Sequence, residues 1–130
     1  MTRINVVPED TLTNKHLSGE FHEISRVFNL VRKAIARPTP VVIPEHYTLG
    51  RGHVTFFYDK LSYISERYIR LALELSYRAW STGRTTSVNI PQVLSIIEQA
   101  RNDIPEVWWR EYQPTQHAID INRERLMERS

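Results

Sequence analysis

The sequence predicts an all-α fold, a single compact domain of three main helices joined by long irregular connections. Two observations predict this class. Apolar residues recur at intervals of three and four in three separate segments, as they do on the buried face of a helix. Proline and glycine cluster between these segments, where helices end. With 130 residues, of which 41% are hydrophobic, the chain fits one domain over residues 1–130 with a substantial core.

The first predicted helix begins near Asn14 and ends at about Arg37, before the proline-rich segment PTP. Its apolar positions form one stripe, which consists of Leu17, Phe21, Ile24, Phe28, Val31 and Ile35. Residues 38–52 contain three prolines and two glycines, so we expect a loop there.

The segment HVTFFYDKL after that loop is compatible with a short strand. We instead expect a buried loop that leads into a second helix, from about Asp59 to Trp80. A second loop, STGRTTSVN, precedes a short helix, IPQVLSIIEQA, with proline in its first turn. The aromatic segment NDIPEVWWREYQP is expected to be irregular, and the last helix should begin near Thr115 and continue to the C-terminus.

Composition excludes several classes of protein. The chain has no cysteine, which rules out disulfides and thiol nucleophiles and fits a reducing cytosol. No apolar run approaches the roughly 18 residues that a membrane span needs, and the N-terminus lacks the apolar core of a signal peptide. The formal charge is only +2, so a nucleic-acid partner must be inferred from how the charges are distributed.

The first predicted helix places two carboxylates between its apolar stripe and a basic face. At roughly 100° per residue, His16, Glu20 and Glu23 lie along one border of the stripe. The face beyond that border carries no acid and consists of Lys15, Gly19, His22, Arg26, Lys33 and Arg37. A partly buried carboxylate beside arginine suits acid–base chemistry, because burial raises its pKa and the arginine lowers it. The same glutamates could equally form ordinary ion pairs on a helix surface.

Two further patterns concern ligands. His16 and Glu20 have the spacing of two metal ligands one turn apart, but no third ligand is visible and we expect no metal site. On the last helix, Asn122, Arg125 and Arg129 share one face. A phosphate-binding surface could combine these arginines with Arg3, Arg26, Lys33 and Arg37.

The segments MTRIN, HLSGEFHEISRVF and GHVTFFYDKL resemble the bacteriophage endonuclease V family, which consists of pyrimidine-dimer DNA glycosylases with abasic-site lyase activity. The segment YQPTQHAIDINRERL is also similar to the last helix of the family. The resemblance covers nearly the whole chain, although residues 82–111 align poorly. It implies one all-α domain built on three helices.

The resemblance implies two catalytic residues. Thr2 stands where the family has its nucleophile, the backbone α-amine that removal of the initiator methionine exposes, and Glu23 stands at the catalytic carboxylate. Basic positions that hold DNA in the family fall on Arg3, Arg26, Arg125 and Arg129. His16 matches a position near the site, His22 replaces a DNA-contacting arginine, and Lys33 joins the DNA-binding set by its place on the basic face.

The implied substrate is double-stranded DNA that contains UV-induced cyclobutane pyrimidine dimers. We expect a monomer without metal, organic cofactor or membrane partner, in the cytosol (the host cytosol if the protein is phage-encoded). Two departures leave the lesion open: His22, and the absence of the family's aromatic-rich C-terminal segment from these 130 residues. Trp108, Trp109 and Tyr112 could supply an aromatic surface instead, or the two tryptophans could pack in the core. The same mechanism on another damaged base or an abasic site, and a non-enzymatic DNA-binding domain, are the alternatives.

Overall fold

The fold consists of helices joined by irregular segments. The computed structural model describes residues 3–129. Five α-helices lie in this range: α1 (Asn14–Ile24), α2 (Arg26–Ala36), α3 (Leu61–Ser81), α4 (Ile90–Asp103) and α5 (Gln116–Glu128). Within the described residues no strand forms, and the only β-type pairing is an isolated bridge between Lys60 and Trp109. The predicted all-α class is therefore confirmed.

The single helix expected over residues 14–37 is interrupted at Ser25. Ser25 keeps right-handed angles (φ −66°, ψ −16°), but the Phe28 N–H bonds to its carbonyl oxygen at 3.3 Å, a step of three residues instead of four. The Ser25 side chain is hydrogen-bonded to Tyr68 of α3. The prediction of one helix was wrong because the apolar periodicity continues across the break, where Ile24, Val27 and Phe28 are all buried.

The other helix boundaries follow the local chemistry. Asn89 and Thr115 cap α4 and α5, since their side-chain oxygens accept the Gln92 and Ala118 N–H groups at 3.0 Å each. The proline in the first turn of α4 also stands where this residue is favoured, because the N–H that proline lacks would have no partner within the helix. The segment HVTFFYDKL contains a buried 3₁₀ turn, Thr55–Phe57, so the choice of a buried loop over a strand is confirmed.

One continuous cluster of buried apolar side chains joins all five helices, with Leu17, Phe28, Leu61, Val93 and Ala118 among its members. Ile35 was predicted to belong to this core but is 40% exposed. It lies in the last turn of α2, at the start of a run of exposed residues that extends to residue 40. No helix in the described range has both the length and the apolar character that crossing a membrane requires.

The aromatic segment before α5 packs into this core. Trp109 is buried, its indole Nε1 donates to the Ile104 carbonyl oxygen at 3.1 Å, and its ring stacks on Phe28. Trp108 and Tyr112 are partly buried against the same cluster. Of the two interpretations of this segment, the structure supports core packing over an aromatic surface for the lesion.

Candidate active site

A cavity of about 660 Å³ is lined by the start of the chain, α1, α5 and Gly50 of the long loop. Five of its lining residues are ones that the sequence singled out as catalytic or DNA-binding: Arg3, His16, Glu23, Arg125 and Arg129. They come from three parts of the chain that are far apart in sequence. Lys15 of α1, which belongs to the predicted basic face, lines the cavity as well.

Glu23 lines this cavity from the last turn of α1. Its side chain is 28% exposed, and Oε2 lies 3.8 Å from Nη1 of Arg26, whose own side chain is 57% exposed. An exposed pair at this distance is weak. The Glu23 carboxylate therefore has oxygen lone pairs available for another partner.

Glu20, one turn earlier, is fully engaged by other groups. Its Oε2 accepts Arg67 Nε at 2.8 Å, and its Oε1 accepts Arg67 Nη2 at 2.9 Å and Asn5 Nδ2 at 2.8 Å. The Glu20 and Arg67 side chains are each only 1% exposed. Burial works against the charge of Arg67, but Glu20 outweighs it and raises the pKa of Arg67. Glu20 is therefore a buried structural carboxylate.

This engagement also bears on metal binding. Both oxygens of Glu20 are used by Arg67 and Asn5, so Glu20 cannot act as a ligand beside His16 without breaking the buried pair. Within residues 3–129 no group of three or more histidine, aspartate or glutamate side chains has an arrangement suited to a metal ion.

The start of the chain is held in place by two buried side chains. Asn122 of α5 accepts the N–H groups of Val6 and Val7 through Oδ1, at 2.7 and 3.2 Å, and donates from Nδ2 to Asn5 Oδ1 at 2.8 Å. Arg67 of α3 donates from Nη1 to the Val7 carbonyl oxygen. Glu20, Arg67, Asn5 and Asn122 thus form one buried polar network, which fixes the segment that leads to Arg3.

His53 anchors the same segment closer to its start. The Ile4 N–H donates to His53 Nε2 at 2.9 Å, while Nδ1 lies 2.8 Å from the carbonyl oxygen of Thr48. A ring nitrogen that accepts an N–H carries no proton, so this arrangement requires the neutral imidazole with its proton on Nδ1. Burial lowers the pKa of His53, and the charges of Arg3 and Arg125 lower it further.

The cavity arginines, Arg3, Arg125 and Arg129, concentrate positive charge around Glu23. Burial lowers the pKa of Arg3, and Arg129 and Arg125 lower it further because like charges disfavour protonation. Arg125 has a loose surface partner in Glu128 at 3.6 Å. Three cations brought together in this way favour a polyanionic ligand.

Other sequence-predicted residues lie away from the cavity. His22 lines a separate groove between α1 and the end of α3, together with Arg78 and Arg84. Arg26 adjoins the cavity through its contact with Glu23, and Lys33 is exposed on α2. Thr2, the expected nucleophile, lies outside the described residues.

Sequence reasoning missed three residues that hold Glu20 or the start of the chain in place: Arg67, Asn5 and His53. His53 lies inside the motif GHVTFFYDKL, but no local pattern shows that its ring reaches Ile4, which is 49 residues away. The partner of Glu20 was equally hidden, because Arg67 is 47 residues further along the chain.

The family model described as pyrimidine dimer DNA glycosylase matches residues 1–88. This range is more than half of the chain and contains Arg3, His16, Glu23 and His53. Arg125 and Arg129 follow the matched range, yet they line the same cavity as Glu23. The match and the cationic cavity around a carboxylate point to the same activity. The chain belongs to the pyrimidine dimer DNA glycosylase family and is an enzyme of DNA repair.

Proposed function

We propose that the protein excises UV-induced cyclobutane pyrimidine dimers and then nicks the strand, with the α-amine of Thr2 as nucleophile and Glu23 as the acid–base residue. The observation that carries this proposal is that Arg3 and Glu23 line one cavity. Thr2 directly precedes Arg3, and consecutive Cα atoms are about 3.8 Å apart. Covalent geometry therefore supports an amine at Thr2 that can act in the same space as Glu23.

An N-terminal amine suits this role better than a lysine. Its reference pKa is about 7.7–8.0 against about 10.4 for lysine, so a useful fraction is neutral and nucleophilic near pH 7. The amine becomes free only when Met1 is removed, which a small second residue such as threonine permits.

The first stage removes the base. The amine nitrogen bonds to C1′ of the sugar while the glycosidic bond breaks, and the departing base takes the bonding electrons. The Glu23 carboxylate stabilises the positive charge that develops on the sugar. The nitrogen gives up its two protons, one to the departing base and one to O4′ as the C1′–O4′ bond opens, and an imine then joins the protein to DNA.

The second stage cuts the strand. Glu23 removes a proton from C2′, the C3′–O bond breaks, and the 3′ phosphate leaves with the electron pair. Water then hydrolyses the imine and restores the free amine. General acid–base assistance of this kind contributes about 10²- to 10⁴-fold to a rate, and no step needs a metal or an organic cofactor.

The DNA would lie across the cavity arginines, whose charges neutralise phosphates. Arg26 supplies a further contact beside Glu23, while Lys33 and His22 lie further out along the same duplex. His16 lines the same cavity as Glu23, which supports a role for it close to the reacting sugar. A dimer weakens pairing and bends easily, so recognition should use the deformability of the duplex and the low cost of turning out a base at a damaged site. We propose that a monomer does this work in the cytosol.

The test is chemical trapping of the imine. The protein is incubated with a duplex that contains one cyclobutane dimer, and borohydride reduces the imine to a stable amine. We expect a covalent adduct that peptide mapping places on Thr2, with Met1 absent from the active protein. Two controls should give no adduct. One is protein whose α-amine is acetylated, and the other is an undamaged duplex.

Other outcomes discriminate between the alternatives. An adduct with an abasic-site duplex but not with a dimer duplex would support the imine mechanism and refute the cyclobutane dimer as the substrate. DNA trapped on a lysine side chain, with Thr2 free, would refute the nucleophile. Tight binding without any adduct or nicking would indicate a non-enzymatic DNA-binding domain.

A further inference from the structure

We infer that His53 is a positioning residue for the proposed reaction, because it holds the start of the chain through the Ile4 N–H and can do so only as a neutral imidazole. Its anchoring role depends on contacts of the described residues alone. Its effect on the reaction rests on the proposed function, in which the segment that it holds carries the nucleophilic amine.

The anchor is rigid. Ile4 is fully buried, and its N–H donates to His53 Nε2 at 2.9 Å, two residues from Thr2. On the opposite side of the ring, Nδ1 donates to the Thr48 carbonyl oxygen at 2.8 Å. The edges and faces of Tyr47 and Phe57 enclose the imidazole, with ring centroids 5.5 and 5.9 Å away. Rotation of the ring would break both hydrogen bonds.

Protonation would turn this contact from attraction into repulsion. A proton on Nε2 would face the Ile4 N–H, so two donors would meet where one donor and one acceptor now bond. The charged groups around the ring oppose the same step, since Arg3 of the N-terminal segment and Arg125 of α5 are both cationic. Tyr47, from the long loop, remains neutral because burial raises its pKa.

The direction of the pH effect follows. Burial lowers the pKa of His53, so the folded protein favours the neutral ring more than the unfolded chain does. The stability that His53 contributes is fully present above about pH 6.5 and is lost as the pH falls, because the unfolded chain takes up the proton first. Below the pKa of His53, the Ile4 hydrogen bond should open.

The same protonation should appear in the reaction. Protonation of the amine alone makes the trapping rate fall about tenfold per pH unit on the acid side of its pKa. A second proton, on His53, should steepen this fall towards about a hundredfold per unit below the pKa of the imidazole. The steeper limb should be absent when residue 53 cannot titrate.

Two variants separate the two hydrogen bonds. In His53→Gln, the amide oxygen can stand near the position of Nε2 and accept the Ile4 N–H without titrating. In His53→Asn, the shorter amide can still donate to Thr48 but leaves Ile4 without an acceptor. The Leu71 N–H, in the middle of α3, serves as an internal control for folding in both proteins.

The first measurement is the hydrogen-exchange protection of the Ile4 amide in the DNA-free protein as a function of pH. In the wild type we expect protection at pH 7.5 that falls at least tenfold below the pKa of His53, while Leu71 stays protected. His53→Gln should keep Ile4 protected across the range, and His53→Asn should lose the protection at every pH. Wild-type protection that does not change with pH would overturn the proposal without any variant.

The second measurement is the rate of borohydride trapping on a duplex with an abasic site, which bypasses base removal. His53→Asn should trap at least tenfold more slowly than the wild type, and His53→Gln should retain most of the rate with a single-proton acid limb. Equal rates and equal slopes in all three proteins would overturn the positioning role. If the wild type traps no damaged DNA at all, the proposed function fails, and the role of His53 in the reaction fails with it. The hydrogen-exchange protection of the Ile4 amide would still test whether His53 anchors the start of the chain.

Discussion

Glu20 and Glu23 are three residues apart on one helix, line one cavity, and yet belong to different environments. Glu20 uses both oxygens on Arg67 and Asn5, and the side chains of Glu20 and Arg67 are each only 1% exposed. Glu23 has one loose contact, 3.8 Å from an exposed arginine. In both places a carboxylate lies beside cations, but only in the second are oxygen lone pairs free.

The difference teaches that two carboxylates on one helix can be distinguished by their partners. A carboxylate whose oxygens are all hydrogen-bonded is structural, whereas one with a weak partner is available for another contact. A fully satisfied buried pair cannot exchange partners without a large loss of free energy. A carboxylate with a weak surface partner can accept a proton and give it up again. The cavity therefore combines a side held by the buried polar network with an accessible carboxylate at Glu23.

The largest expected effect comes from Glu23→Gln. Glutamine keeps the shape of the side chain but cannot carry the charge or take the C2′ proton, so nicking of a dimer duplex should fall by at least about 10²-fold. Binding should persist or tighten, because a negative charge near phosphate is removed. Urea unfolding should match the wild type, since the lost ion pair is exposed. A variant that nicks at a near wild-type rate would make Glu23 an ordinary surface charge, and one that unfolds would make it a structural carboxylate.

The second effect is on stability rather than rate, and comes from Glu20→Gln. Arg67 would stay buried with a weakened partner, although Glu9 still pairs with it at 2.7 Å. We expect the free energy of unfolding to drop by about 3 kcal/mol, with most of the nicking retained where the protein is folded. Glu106→Gln, whose side chain is 84% exposed, should change it by less than about 0.5 kcal/mol. If Glu20→Gln had normal stability but no longer nicked DNA, Glu20 and not Glu23 would be the candidate catalytic carboxylate.

The smallest effect is on binding, and comes from the cations around Glu23. Arg125→Ala or Arg26→Ala should weaken binding to damaged and undamaged duplexes by similar factors, and each should reduce the slope of log K against log salt by about 0.9. Arg110→Ala, a surface arginine paired with Asp59 away from the cavity, is the matched control. Unchanged slopes for both cavity-side variants would place the DNA on another surface.

Local patterns predict much of this molecule. Apolar spacing located the helices to within a few residues, and caps such as Thr115 marked where they begin. The same spacing placed His16, Glu20 and Glu23 together, and all three line one cavity. Local patterns failed where a partner comes from a distant part of the chain. The Arg67 that neutralises Glu20 lies on α3, and apolar periodicity places its position on the buried side without saying what it meets.

The break in the helix at Ser25 and the tautomer of His53 were hidden for a related reason. Both residues meet a group that only tertiary packing brings close: Tyr68 for Ser25, and Ile4 for His53. Such contacts leave no repeated signal in the sequence. The candidate catalytic residues are therefore easier to propose from sequence than the residues that hold them in place.

The bond between Asn122 and Val6 joins groups that are 116 residues apart. Loops of that length close late, because their entropic cost must be met before the contact is made. During synthesis, a nascent chain that has not yet reached α5 would carry Glu23 without Arg125, Arg129 or the Asn122 anchor. The cationic lining around Glu23 is therefore complete only once the end of the chain has packed against its start.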